Sequence, residues 1–318
     1  MTSATPLPTP SVSALSGQAA LHIATPLLMS LPLTARTGCE VWLKMEALQP
    51  SGSFKLRGVG LACQTRVAQG ATRLVSSSGG NAGIAVAHAG RLLGVPVDVF
   101  VPQTTPARAR ELIAEQGARL TVHGASWQEA NDLAQARLGP TDAFIHPFDD
   151  PLLWQGHATL VDEVAQANAA PPDAVVLAVG GGGLLSGVLQ GMHRHGWGHV
   201  PVLAAETRGA DSLAQAVAAG ERVVLPAITS VATSLGARQV CEQAFSWTHR
   251  HTIHPVVMSD EQALDACDRF LTDHRVWVEP ACGAALAALD AVPLRLPKAQ
   301  RVLVVVCGGV NVVRTGSI

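Results

Sequence analysis

The sequence predicts an α/β protein of two domains, each a mainly parallel, twisted sheet flanked by helices. Three observations predict it. Short apolar, β-branched runs alternate with helix-like stretches over most of the 318 residues, the pattern that builds parallel sheets through right-handed crossovers. Several runs are apolar throughout, such as AVVLAV at 174–179 and VLVVV at 302–306, as strands covered on both faces must be. Hydrophobic residues make up 48% of the chain and charged residues 14%, enough apolar surface for a large buried core.

Taken in order, Val41–Met45 reads as a strand and Leu56–Ala68 as a helix, with Ser51 or Ser53 placed to cap it. Strands follow at Arg73–Val75, Val97–Val101, Arg119–Val122 and Ala143–His146. Helices at Ala82–Leu93, Pro106–Gln116 and Trp127–Arg137 alternate with them. The stretch Pro147-Phe148-Asp149-Asp150-Pro151 breaks the alternation and marks a crossing between domains; a second crossing lies near Pro50. Beyond it come a helix at His157–Ala169, a strand at Ala174–Val179 and a helix at Gly183–His193. A strand at Val202–Ala205, a helix at Asp260–Thr272 and a strand at Val302–Val306 complete the series. Residues 1–48 and 149–318 then form the larger domain and 49–148 the smaller.

Composition narrows the function. A net charge of −2 gives no electrostatic footing for nucleic acid or an anionic membrane. No run reaches the roughly 20 apolar residues of a membrane helix. The six cysteines, at positions 39, 63, 241, 267, 282 and 307, form no CxxC pair. They read as buried thiols in a reducing compartment rather than a zinc site or a disulfide framework. The leading MTSATPLPTPSVSALSG has no Lys or Arg, and none follows before Arg36. It therefore lacks the basic region of a signal or transit peptide, and its residues read as loose. The expectation is a soluble, cytoplasmic protein.

In parallel sheets, ligands gather at the carboxyl ends of strands, where strands turn into helices. One such turn is SSSGGNAG, Ser76–Gly83, whose hydroxyls, amide and free N–H groups suit a carboxylate. The same residues serve equally as an N-cap with turn glycines. A second turn carries four consecutive glycines, Gly180, Gly181, Gly182 and Gly183. Such a run is costly in backbone entropy, so something approaches that backbone closely, and a phosphate is the candidate. The stretch has neither GxGxxG nor GK[ST] spacing, which points to one phosphate on a small cofactor rather than a dinucleotide or a nucleoside triphosphate. A third turn, Cys307-Gly308-Gly309-Val310-Asn311, holds either a small buried hydrophobe or a thiol set against a flat ring.

Lys55, in PSGSFKLRG, falls near the first turn of a helix, where a cation is mildly unfavourable. It is either a solvated surface lysine or one whose amine is kept neutral, or held as an imine, to act as a nucleophile. Two histidine clusters look suited to metal: His193, His195 and His199, and His249, His251 and His254. Neither has a matching carboxylate or cysteine spacing, so they read as a solvated turn and a polar loop. No HExxH, nucleophile elbow or triad pattern is present.

A reactive lysine, a single-phosphate loop and a small anion-binding loop together fit pyridoxal 5′-phosphate. The chain carries QPSGSFKLRG (49–58), SSGGNAG (77–83), PFDDPLLWQGHA (147–158), VGGGGLLSGV (179–188), VEPACGAALAA (278–288) and VVCGGVN (305–311). With these motifs in this order, from about Thr25 to Asn311, the sequence resembles the fold-type II pyridoxal-phosphate lyases, whose fold is like tryptophan synthase β. Within them it is most similar to the animal-type L-serine dehydratase/L-threonine deaminase group.

The resemblance implies that Lys55 carries the cofactor as an internal aldimine and that Phe54 packs on its ring. It implies that Asn81 bonds the ring 3′-oxygen, that Gly180–Gly183 cradle the phosphate and that Cys307 faces the pyridine nitrogen. Ser78, Gly79, Asn81 and Ala82 would hold the substrate carboxylate. Glu206, Ala210 and Ser212, with carbonyls near Leu235 and Ala237, would bind a monovalent cation such as K+. The implied reaction is β-elimination: a neutral Lys55 amine removes the α-proton and the β-hydroxyl leaves. Aminoacrylate then hydrolyses to pyruvate from serine, or to 2-oxobutanoate from threonine, plus ammonia. A homodimer is also implied.

Two departures stand out. Gly79 replaces an alanine found in some members, which should leave more room beside the substrate. The chain also stops soon after Asn311, where relatives often continue into a helix. Competing readings are a serine racemase, with Ser78 as a second base, and a β-replacement enzyme, against which GGNAG lacks the threonine that sulfhydrylases place after Gly-Asn. From another class, a nucleotide-binding oxidoreductase or a non-catalytic ligand-binding protein would share the doubly wound sheet.

Overall fold

The computed structural model describes residues 19–167 and 170–312; the leading stretch read as loose, and the end of the helix read to Ala169, lie outside them. Strand β1 (Leu27–Met29), helix α1 (Leu31–Thr37) and strand β2 (Glu40–Lys44) come first, and a 3-10 turn at Glu46–Leu48 leads towards α2 (Lys55–Ala68). Then come β3 (Arg73–Ser76), α3 (Asn81–Leu93), β4 (Val97–Val101), α4 (Ala107–Glu115), β5 (Arg119–Val122), α5 (Trp127–Ala136) and β6 (Asp142–Phe144). Helix α6 (Pro151–Ala167) precedes β7 (Ala174–Ala178), α7 (Gly183–Arg194), β8 (Val202–Thr207), α8 (Ser212–Ala219), α9 (Glu242–Thr248) and β9 (Ile253–Met258). The chain closes with α10 (Asp260–His274), α11 (Pro280–Ala288), α12 (Val292–Arg295) and β10 (Arg301–Val305).

These strands make two sheets. One has six strands in the order β1-β2-β10-β7-β8-β9, the other four in the order β5-β4-β3-β6. Every pairing is parallel except that of β1 with β2. All five residues of β7 and of β4 are buried, which is why their sequences show no alternation. Among the described residues no helix is long and apolar enough to cross a membrane, and all six cysteines are free and buried.

The differences from the sequence reading have local causes. Strand β9 reads IHPVVM and contains His254, placed by its sequence in a polar loop. It is an edge strand, where a proline costs no ladder bond on the open side. Helix α11 is buried at every position and apolar all round, so it carries no helical period. Helix α6 starts at Pro151 rather than His157 because Asp150 caps it: its carboxylate accepts the Leu152 N–H at 2.8 Å, and proline suits the first helical position. Neither Ser51 nor Ser53 caps α2. Phe54 holds that position without a side-chain cap, and both serine hydroxyls are buried with no hydrogen-bond partner among the described residues. The stretch is instead pinned to the end of β10, where the Phe54 N–H donates to the Cys307 carbonyl at 3.1 Å.

Helix α6 sets the geometry of the cleft by packing against α2 and α7 through glycines. A Cβ on Gly156 would lie 2.6 Å from the Gly58 Cα, one on Gly58 would lie 2.5 Å from the Leu153 carbonyl oxygen, and one on Gly187 would lie 2.7 Å from the Trp154 carbonyl oxygen. Behind this crossing lies a buried ionic knot. Arg57 donates through Nε to Glu46 at 2.7 Å and through Nη1 to Glu163 at 2.7 Å and to Thr159 at 3.0 Å. Its Nη2 donates to both carboxylates at 2.8 Å. Lys44 pairs with Glu163 and donates to the Thr25 carbonyl at 2.6 Å, so two cations meet two anions. A strap at residues 19–25 crosses the same region. There the Ala19 carbonyl accepts from Gln64 at 2.9 Å, and Ile23 exchanges two hydrogen bonds with Gln49.

Because backbone lies where each Cβ would go, Gly58→Ala and Gly156→Ala should each destabilise the fold by about 1–3 kcal/mol or more. Gly60→Ala on the same helix should be milder, since its nearest neighbour is the Leu21 side chain at 3.2 Å. Thermal melting of the three variants measures this, and equal losses would remove the crossing from the account.

Candidate active site

Lys55 opens α2 at the carboxyl end of the six-stranded sheet. Its amine donates to the Pro147 carbonyl at 2.6 Å and lies 5.1 Å from the centre of the Phe54 ring. The side chain is half-buried along the cleft, and protein packed around the amine governs its titration. Burial lowers its pKa to about 8, against the opposing pull of Glu279, Cys307 and Cys241. Phe54 meets the His157 ring edge-on, with centroids 4.9 Å apart. His157 is fully buried, neither ring nitrogen has a hydrogen-bond partner among the described residues, and burial keeps it neutral.

Asn81 opens α3, whose N-cap is Gly80 and which has no side-chain cap. Its Nδ2 donates to Glu279 at 2.8 Å and its Oδ1 accepts the Val310 N–H at 3.0 Å. Ser78 Oγ accepts the Gly80 N–H at 3.4 Å, and Ala82 is buried in the first turn. Cys307 lies at the end of β10, where the Cys282 thiol and then burial push its own thiol well above the ordinary range. It is a neutral S–H group.

The glycine run joins the same cleft. Gly182 is left-handed at φ 91 and forms the N-cap of α7, again with no side-chain cap. The first-turn N–H groups of that helix therefore have no intrahelical partner and no side-chain cap from Gly182. The close approach read from the glycines is made by protein. A Cβ on Gly181 would enter the Phe148 ring, one on Gly183 would lie 2.8 Å from the Phe148 carbonyl oxygen, and one on Gly180 would lie 3.0 Å from the Leu235 Cα. Phe148 thus seats the turn, and Pro147 beside it holds Lys55.

A profile of the family described as pyridoxal-phosphate dependent enzymes matches residues 19–308. The chain belongs to that family. A mouse protein named L-serine dehydratase/L-threonine deaminase is 45% identical over 309 residues, 94% of each chain. A human protein named serine dehydratase-like is 46% identical, covering 93% of this chain and 92% of its own. The solved structure of a fungal L-serine ammonia-lyase from Rhizomucor miehei matches with a TM-score of 0.89 at 37% identity, over 93% of this chain and 96% of that one.

The cleft fits the cofactor of a pyridoxal-phosphate dependent enzyme. A lysine amine near neutral pKa, bonded to one backbone carbonyl, suits an aldehyde. The uncapped start of α7 suits a phosphate. Buried hydroxyls without partners at Ser51 and Ser53 border the lysine in sequence.

Other expected residues fall differently. Glu206 is fully buried and accepts the Leu213 and Ala214 N–H groups at 2.8 Å each, so its carboxyl caps α8. Burial pushes that carboxyl up to about 8 against those two bonds. Ser212 Oγ beside it has no hydrogen-bond partner among the described residues, while the Leu235 carbonyl accepts from the Ala237 N–H at 2.7 Å. The two histidine clusters meet: His193 and His251 are hydrogen-bonded at 3.1 Å, and His251 also bonds the Val200 carbonyl at 2.8 Å. His251 is buried rather than part of a solvated loop.

Gly79 does not leave a gap. A Cβ there would lie 2.6 Å from Thr105 Oγ1 and 2.7 Å from its Cγ2, so Thr105 already occupies the space. Glu279 is the residue that the sequence reading missed. Its signal was an acid between Val278 and Pro280, at the head of an otherwise apolar helix, where water cannot reach it.

Two outcomes follow from this geometry. Cofactor-free protein should develop its visible pyridoxal-phosphate band at a rate that rises with pH around 8, not around the ordinary lysine range, because only the neutral amine attacks. Stopped-flow absorbance across pH tests this, and a rise centred near the ordinary lysine value of about 10.4 would refute it. Gly79→Ala should lower the melting temperature, and adding Thr105→Ala should return much of it, a coupling above about 0.5 kcal/mol. Additive losses in the double-mutant cycle would mean that the two residues do not compete for space.

Proposed function

We propose that this enzyme eliminates water from L-serine and L-threonine, and that the released enamine takes up water again to give ammonia with pyruvate or 2-oxobutanoate. The observation that carries the reading is the Lys55 amine, brought to about 8 by burial and set beside two uncapped helix N-termini. The named relatives support the substrate.

Lys55 Nζ is the atom that would hold the cofactor, with the start of α7 holding its phosphate and Phe54, Asn81 and Cys307 lining its ring. Bound pyridoxal phosphate supplies the electron sink that makes the α-proton of an amino acid removable. The loop from Ser78 to Ala82 orients the substrate carboxylate with N–H groups at the start of α3. Lys55 Nζ, its pKa lowered to about 8 by burial, takes the α-proton in its neutral form. The neutral Cys307 thiol lends little positive charge to the ring it would face.

Segment 49–148, which contains the four-stranded sheet, is read as the small domain that closes over the substrate, with 1–48 and 149–318 as the large one. By the resemblance, Glu206, Ala210 and Ser212 are read as a potassium site, with carbonyls near Leu235 and Ala237; a cation there would favour the ionised Glu206 carboxyl. Six buried free thiols support a cytoplasmic setting, and the homodimer is carried over from the resemblance.

Purified enzyme should release keto acid from L-Ser and L-Thr and none from D-Ser, with more in potassium than without it. Lys55→Ala should fall to background. Keto acid from Lys55→Ala at the wild-type rate would overturn the mechanism, and D-serine formed from L-serine as the main product would favour the racemase.

A further inference from the structure

Glu279 has no role in the reaction as read so far, yet the cleft is built around it. It forms the N-cap of α11, but its side chain makes no cap bond and turns away from its own helix. Instead Oε1 accepts from Asn81 Nδ2 at 2.8 Å and Oε2 accepts the Asn311 N–H at 3.1 Å. Gly309, at φ 121, lies beneath the carboxyl, and any Cβ there would collide with Glu279 Cδ. The second glycine of the Cys-Gly-Gly turn therefore makes room for this acid.

The orientation of the Asn81 amide follows from chemistry. A backbone N–H can only donate, so the Val310 N–H at 3.0 Å fixes Oδ1 on its side. The nitrogen must then face Glu279. One of its two protons goes to the carboxylate; among the described residues the other has only Ser234 Oγ, at 3.5 Å. We propose that Glu279 is a positioning residue: it clamps Asn81 so that the second Nδ2 proton is offered to an acceptor oxygen of the bound cofactor. This rests on the pyridoxal-phosphate reading above. The clamp also fastens α3, from the four-stranded side, to the loop after β10 on the six-stranded side.

Charges around the acid suit such a part. Burial raises its pKa, opposed by Ser234, the Asn311 N–H, Asn81 and the Lys55 charge. Cys307 and Cys267 feel it from the other side. Donors on both of its oxygens match a carboxylate better than an amide, which must turn its NH2 towards one of them.

The test uses whole enzyme loaded with pyridoxal phosphate. Glu279→Gln should still bind cofactor and melt within about 3 °C of wild type. Its visible band should titrate at a pH displaced by about half a unit or more. Its kcat should fall about tenfold or more while KM changes less, as expected when a hydrogen bond to a charged group is lost. The swapped pair Asn81→Asp/Glu279→Gln keeps every donor matched and stays informative if the single variant unfolds. It should melt near wild type yet not regain kcat, since no nitrogen then faces the cofactor. A Glu279→Gln enzyme with wild-type titration and kcat within twofold overturns the proposal, as does a swapped pair that regains kcat. Wild-type protein that binds no pyridoxal phosphate would sink the underlying reading as well.

Discussion

The cleft depends on a guanidinium that water does not reach. Arg57 stands two residues beyond Lys55 on α2, and its donors are taken by Glu46, Glu163, Thr159 and Thr25. These partners come from the turn after β2, from α6 and from the strap, so three separate parts of the chain fix one point on α2. Ion pairs of this kind add little net stability over apolar packing, but removing one partner is severe because it strands a buried charge. What the knot supplies is direction. With α2 held there, and with Gly58 against α6, the first turn has one place to go and the Lys55 amine one place to sit.

Three helices then point their N-termini into the same space. None of α2, α3 and α7 has a side-chain cap, so the positive ends of their dipoles face a cleft without an acid at the first helical turn of any of them. Such a field suits a phosphate and a carboxylate and disfavours an ammonium. Burial lowers the Lys55 pKa in the same direction. The feature that makes anions welcome is thus also one that keeps the lysine nucleophilic, and Glu279 is the nearby carboxylate that moderates it.

Much of this is legible in the sequence alone. Uniformly apolar strands such as VLVVV announced a doubly covered sheet, and the four glycines and the awkward lysine announced the cleft. The parts that stayed hidden depend on partners distant in sequence. The glycine run looked like room for a ligand, but Phe148 fills part of it. Gly79 looked like extra space, but Thr105 takes it. His193 and His251 sit 58 residues apart, and no spacing rule joins them. Strand β9 and helix α11 were missed because one tolerates proline at an edge and the other is buried on all sides, which erases the period in both.

The strap at residues 19–25 has a practical meaning. Its Thr25 carbonyl is an acceptor for the buried Lys44 ammonium, and Ala19 and Ile23 are tied by side chains to α2 and the turn before it. Trimming the chain past residue 25 would leave that ammonium short of a partner in the interior. Any shortening that reaches residues 19–25 would therefore free α2, or the turn before it, from one of its anchors.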